Sequence, residues 1–422
     1  MRNLSNKKGF ALVFSLAFLL LTVSSVALLF STVTGGLTLT RKAMDLKRAY
    51  YLADAGLAEA FIALKNNPNP PMIFRVGESN YVIGGSKTGS YAVTVQGSGA
   101  TWIQYTLTSV GTYNGVSKTL ILKVQQSALS TYAYFSNTEI NPTFGRLWWI
   151  TGMTTVGPVR TNGQLNLWGK PIFDGPVTQS NPTINYWNGA DNSPDFVDGV
   201  IYDPATLALP AAMLNNISAE ASSSGLILSG DSAIVFHSDG TMNVTNAANG
   251  WSNHSMWIPS NGVIYVQNGT PTVEGTIKGR VTVASEGDIY VSGNLMYDKD
   301  PRTDPTSTDL LGLVAKNNVT VTAQSAPTNL ELDAVIVAIN GAFQVDQWWL
   351  GGKGNMVQYG SLINNYCGPT GIFDPSSGTL YGGYNQLQYY DSRLKTIIPP
   401  GFPVAVNSNG KILYVKTSFQ EL

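Results

Sequence analysis

The chain has 422 residues, room for two or three domains at about 100–200 residues each, and only 12% of them are charged, with a net charge of −1. That balance leaves no basic field to hold nucleic acid. A single cysteine, Cys367, excludes an internal disulfide and a thiolate zinc site, and two histidines, His237 and His254, leave little for a histidine metal centre, so no metal or other cofactor is expected.

The N-terminus carries Arg2, Lys7 and Lys8, and no further charge until Arg41. Between them Phe10–Phe30 is apolar apart from Ser15, Thr22, Ser24 and Ser25, long enough as a helix to cross the roughly 30 Å of a bilayer's hydrocarbon. The basic flank predicts a single pass with the rest of the chain outside the cytoplasmic membrane. A secretory signal cut after Ala27 is the plainer alternative, but its apolar core exceeds the usual ~7–15 residues. Helical patterning also continues: Leu46, Ala49, Ala53, Leu57, Ala60 and Leu64 recur at three- and four-residue steps. Asn66-Asn67-Pro68 should stop the helix, and Gly35-Gly36 is its weak point, at about 1 kcal/mol per glycine.

Lys7-Lys8-Gly9-Phe10 ahead of an apolar run resembles the class III leader of type IV pilins and type II secretion pseudopilins. The stretch Arg48-Ala49-Tyr50-Tyr51-Leu52-Ala53-Asp54-Ala55-Gly56-Leu57-Ala58-Glu59-Ala60 resembles the helix of PilX-type minor pilins. The resemblance implies that a prepilin peptidase cuts between Gly9 and Phe10, that Phe10 is then methylated, and that the helix joins other pilin or pseudopilin subunits in inner-membrane lipid. It also marks a departure. Pilins usually carry glutamate at the fifth mature position, paired with a neighbour's N-terminal ammonium, and here that position is Phe14. The loss of that pair points to a minor or tip subunit. The alternative is a membrane-anchored surface protein that does not polymerise.

Residues 80–126 alternate as strands do, in Ser90–Val95, Trp102–Val110 and Thr119–Val124, with Asn114-Gly115 as a hairpin turn. A small antiparallel sheet is expected to cover the helix stripe. The glycine loop Gly84-Gly85-Ser86-Lys87-Thr88 lacks the spacing of a phosphate-binding loop and is read as a turn. Beyond it a nine-residue template recurs at Val159–Leu167, Phe236–Val244, Ile258–Val266, Val283–Val291 and Val337–Val345, with a shorter copy at Val314–Val321. Start-to-start spacings of 77, 22, 25, 31 and 23 lie, apart from the first, near one coil of a parallel β-solenoid. Asn and Gly would take a positive-φ corner in each coil. A β-sandwich is the alternative. The expected organisation is therefore mainly β with a long N-terminal helix: a leader at 1–9, a helix at 10–66, a small β segment at 67–127, and a large extracellular β domain at 128–422. That last part, through GPVRTNGQLNLWGKPIFDGPVT and YYDSRLKTIIPPGFP, is similar to an uncharacterised extracellular domain found after PilX-like helices.

Candidate sites in the large domain are few. Trp148-Trp149, Trp187, Trp251, Trp257 and Trp348-Trp349 could meet a surface glycan or a protein, or simply fill the interior. In a strand, each Trp-Trp pair would turn one ring outward. Asp298, Asp300, Asp304 and Asp309, and Asp191, Asp195 and Asp198, crowd two loops without a calcium-loop order, and are read as solvated turn residues. Glu286 with Asp288, and Asp391 with Arg393, are the nearest acid–base pairs. Neither has the partners a polysaccharide-active β-helix enzyme needs, so the reading is adhesive or structural and not enzymatic.

Overall fold

A computed structural model describes residues 5–67, 70–83, 87–98, 104–209, 213–402, 405–407 and 411–422. Arg2 of the basic start, Pro68 of the helix stop, Gly84–Ser86 of the glycine loop, and Trp102 and Ile103 of the second expected strand lie outside them. The protein is mainly β, with one long N-terminal helix, a small antiparallel sheet and a large β region. It divides into two units. The first comprises the helix, the small sheet and Lys416–Leu422, and the second runs from Gln126 to Val415.

Helix α1 spans Ser5–Asn66 in one piece, about 90 Å at 1.5 Å per residue. It passes Gly35 and Gly36 unbroken; a Cβ at either would meet nothing within 4 Å. The apolar residues from Phe10 to Leu39 are uncovered, whereas Ala49, Ala53, Leu57, Ala60 and Leu64 of the expected stripe are buried, together with Leu52. Leu46, at the edge of the covered stretch, is 43% exposed. The cover is β1 (Ile73–Ile83), β2 (Lys87–Ser98), β3 (Gln104–Tyr113) and β4 (Val116–Gln126), paired antiparallel in chain order. Asn114 and Gly115 turn β3 into β4 with φ of 49° and 75°, the left-handed pair a tight hairpin requires. Helix and sheet meet closely through glycines. A Cβ on Gly111 of β3 would lie 2.1 Å from Ala49 O and 2.4 Å from Ala53 N. Gly56 of α1 faces Ser109, Tyr91 and Val93 in the same way.

A fifth strand, Tyr414–Glu421, completes this sheet beside β4. Leu422 N–H donates to Thr119 O, Thr417 Oγ1 to Lys123 O, and Lys118 Nζ pairs with Glu421 at 3.0 Å. Sequence reading left these residues in the larger domain, because nothing in their local pattern says which sheet they join.

The large unit is built on parallel pairing. One ladder runs Leu226–Ser229, Val263–Gln267, Arg280–Ser285, Leu310–Ala315, Leu330–Ala338, Gly352–Tyr366, then β5 (Tyr134–Thr138), Val159–Thr161, Val177–Gln179 and Val200–Tyr202. A second runs Ser232–Phe236, Pro271–Ile277, Ile289–Tyr297, Val319–Val321 and Phe343–Val345. A third carries the first half of Gly352–Tyr366 to Leu380–Tyr390, Thr154–Val156, Ile172–Asp174 and Asp195–Phe196. Identical register stacks like on like: Leu226, Ile264, Val283, Leu313, Ile336, Leu362, Tyr134, Val159 and Val177 form one column. Burying such columns is the main stabilising term, about 25 cal/mol per Å².

Spatial order differs from chain order. The strands of 134–202 stack on Gly352–Tyr366, not on Leu226–Ser229. The chain covers the jump with helix α2 (Met213–Ser224), which buries Met213, Leu214, Ile217 and Ala221. This is why the first two templates are 77 residues apart. Copies at 283–291, 314–321 and 337–345 each span a corner between strands of the first two ladders. The copy at 236–244 is instead the turn of an antiparallel hairpin, Ser232–Phe236 with Thr241–Asn246. Positive φ occurs at Gly240 and Gly262 but not at Gly287 or Gly341. Gly341 is there for space: its Cβ would lie 2.4 Å from Asn317 O on the neighbouring turn.

Candidate functional site

Two regions carry the chemistry expected from the sequence. On α1, Gly9 lies within the helix. Phe10 and Phe14 follow on one face, 69% and 66% exposed, with ring centroids 5.4 Å apart. Position 14 therefore presents an exposed aromatic ring on the helix.

The second region is in the large unit. Beside the apolar column lies another, and its character changes along the stack. Leu228, Val266, Ser285, Ala315 and Ala338 give way to Asn364, Ser136, Thr161 and Gln179. All four of the latter are buried. Glu139, 1% exposed, sits against this polar stretch. Its carboxylate accepts from Ser136 Oγ, from Tyr134 OH at 3.3 Å and from Trp149 Nε1 at 3.4 Å, all neutral donors. Burial pushes the Glu139 carboxyl above the usual range, while those donors pull it back. Cys367 Sγ donates to Glu139 O at 3.3 Å.

Tyr134, Glu139 and Trp149 form one wall of a cavity of about 120 Å³. Trp148, Phe373 and Gln386 line it further. Trp149 is wedged between Tyr134 and Phe173, at 4.9 and 5.2 Å. Trp148, half-buried, meets Trp187 edge-on at 4.8 Å, and Trp187 approaches Phe373 at 6.3 Å. Gln386 is 8% exposed, and its Nε2 has no hydrogen-bond partner.

Neither Trp-Trp pair lies in a strand: Trp148 and Trp149 are on a connection and Trp348 and Trp349 in a turn. Trp348 and Trp349 meet edge-on at 5.4 Å. Trp149 is buried and Trp349 is 56% exposed, with Trp348 packed on Phe144 at 5.8 Å. Trp251 stacks on His254 at 4.9 Å, and Trp257 is 70% exposed. Of the expected aromatics, then, Trp148, Trp149 and Trp187 come together. Glu139 and Gln386 were not anticipated. A lone glutamate and a lone glutamine carry no local signal, and only the pairing of strands distant in the chain gives them a shared wall.

The carboxylates weighed as acid–base pairs hold strands and turns. Glu286 accepts from Tyr265 OH at 3.1 Å, and Asp288 from Asn318 N at 2.8 Å. Asp391 caps the turn Ser392–Lys395 and binds Arg393. In the aspartate loops, Asp191 pairs with Lys170 at 2.8 Å, Asp300 with Arg302 at 2.7 Å, and Asp309 accepts from Gly279 N and Lys299 N.

One acid here titrates in the physiological range. Asp333 is 1% exposed, and burial pushes its carboxyl up to about 7, against the pull of Arg302. Its Oδ2 accepts from Tyr297 N at 3.1 Å, whereas Oδ1 stands 3.3 Å from Arg302 Nη2 without a hydrogen bond. Because the folded carboxyl holds its proton more tightly than an unfolded aspartate, its contribution is full below about pH 4 and lost as pH rises through about 7. Asp333→Asn keeps an acceptor for Tyr297. Urea denaturation at pH 4.5, 6 and 8 should show wild type losing roughly 3 kcal/mol relative to this variant across that range.

Comparison with known proteins adds little. The family described as "Domain of unknown function (DUF4900)" matches residues 88–181, from β2 to just past the strand Val177–Gln179. No curated protein matches the chain. Among solved structures, the competence-associated pilin ComZ from Thermus thermophilus is similar at a TM-score of 0.34 and 14% identity, over 90% of this chain and 97% of that one.

Proposed function

We propose that this chain is a minor or tip subunit of a type IV pilus or a related secretion or competence pseudopilus. In this reading α1 anchors it in the cytoplasmic membrane, and the large β unit outside meets a surface glycan or a protein. The observation that carries the reading is the division of labour along one helix. Phe10–Leu39 is apolar and bare, while Ala49–Leu64 is covered by strands of the same chain. A bare apolar length of that size needs lipid or neighbouring helices. With Lys8-Gly9-Phe10 at its start, the helix has a prepilin peptidase as its first partner and pilin-like subunits as its next. Phe14, having no charge to offer a neighbour's ammonium, favours a scarce or terminal position. It equally favours the second reading, a membrane-anchored surface protein that binds partners without polymerising.

The parallel ladders support treating the large unit as a β-solenoid rather than a sandwich, with corners and coil faces free to bind. We read it as non-catalytic, since the acids weighed for catalysis are engaged in holding its coils.

Mass spectrometry of membrane-extracted protein tests the processing step. The mature chain should begin at Phe10, carrying one added methyl group, and Gly9→Ala should leave the leader attached in essentially all molecules. An intact Met1 start, or a start at Leu28, in wild-type cells overturns the reading. In sheared filaments the protein should be far scarcer than the major subunit; its absence there, with retention in the membrane, selects the second reading.

A further inference from the structure

The cavity beside Glu139 combines three features that a packed interior avoids. It holds a buried carboxylate whose partners are all neutral. It holds a buried amide donor, Gln386 Nε2, with no acceptor. It also has aromatic walls that remain partly open at Trp148 and Phe373. A buried charge calls for a counter-charge, and an orphaned amide donor calls for an acceptor. Both are met by one molecule that brings a positive charge and an acceptor.

We propose that this cavity binds a small organic cation: an ammonium head with Glu139 as its counter-ion and Trp148, Trp149 and Phe373 as its walls, bearing one acceptor for Gln386. Aromatic faces attract such heads, and desolvation strengthens the attraction. Size sets the class. About 120 Å³ is close to the ~150 Å³ engineered cavity that accepts benzene, so a sugar ring with its hydroxyls does not fit. Among the described residues lining the cavity, Gln386 Nε2 is the fully buried side-chain donor left without a partner. The inference goes beyond the pilus reading and does not rest on it, because it uses only residues of the large unit.

The test is tryptophan fluorescence of the detergent-solubilised full chain, titrated at pH 8 with choline, with tetramethylammonium, and with the neutral isostere 3,3-dimethyl-1-butanol. Choline should bind saturably and at least tenfold more tightly than the isostere. Glu139→Gln should weaken choline at least tenfold. Gln386→Leu should weaken choline several-fold and leave tetramethylammonium, which has no acceptor, unchanged. The idea fails if choline gives no saturable change, if the isostere binds equally, or if Glu139→Gln leaves choline affinity intact. Should Glu139→Gln unfold the protein, the comparison of choline with its isostere on wild type still decides.

Discussion

Arg393→Ala should lower the melting temperature of the large unit by on the order of 10 °C, the largest effect of any single surface-proximal substitution. Asp391 is fully buried and faces Arg393 through both carboxylate oxygens, at 3.0 Å to Nε and 2.6 Å to Nη2. The same guanidinium donates to Ser307 O and Asp309 O, each at 3.0 Å, and lies over the Tyr297 ring. Truncation therefore strands a buried charge and two carbonyls at once. Removing one partner of a buried pair costs about 3–5 kcal/mol, and a domain of this size loses roughly 2–4 °C per kcal/mol. Replacing both partners with apolar residues, Asp391→Leu with Arg393→Met, should recover part of the loss, because no charge is then left unpaired. Scanning calorimetry of wild type, single and double variants checks this. Equal melting of wild type and Arg393→Ala would mean the pair is solvated and idle.

The second large effect belongs to the first unit. Gly111→Ala should detach the C-terminal half of α1 from its sheet. The added carbon would sit 2.1 Å from Ala49 O and 2.4 Å from Ala53 N, both backbone atoms of a helix that cannot yield locally. Ordinary overpacking costs about 1–3 kcal/mol, and a clash of backbone against backbone should exceed it. Trypsin applied to the solubilised full chain should then cut faster at Lys47, Arg48 and Lys65. Gly35→Ala, which meets nothing within 4 Å, is the control. It should leave cutting unchanged, since alanine favours the helix by about 1 kcal/mol over glycine. If both variants resist trypsin as wild type does, the glycine contact is not what holds helix to sheet.

How much of this was legible in the residues differs from part to part. The helix was, because an uninterrupted apolar run and a three-and-four stripe are local signals, and Ala49, Ala53, Leu57, Ala60 and Leu64 are buried accordingly. The hairpin at Asn114-Gly115 was, for the same reason. Corner templates were half legible: they marked strand–turn–strand units, but the same letters describe the hairpin at Phe236–Val244. What could not be read was which strand pairs with which. The pairing of Leu362 with Tyr134 joins segments far apart in the chain, and local pattern cannot specify it. The cavity inherits that blindness. Trp148 and Trp149 stand out by composition, but the wall they share with Gln386 exists only once distant strands are paired. Asp391 and Arg393, singled out as an acid–base pair, hold a loop and a turn together instead.

The return of the last strand to the small sheet has a mechanical consequence. Strand β4 leaves that sheet at Gln126, and the chain re-enters it alongside, with Thr417 near Lys123 and Leu422 near Thr119. Exit and re-entry are thus at the same end of two neighbouring strands. A pull along those strands is shared between two covalent connections and resisted in shear by rows of hydrogen bonds that must yield together. One backbone break anywhere in the intervening residues leaves both fragments stitched to the small sheet, so a chain built this way stays held after a single cut.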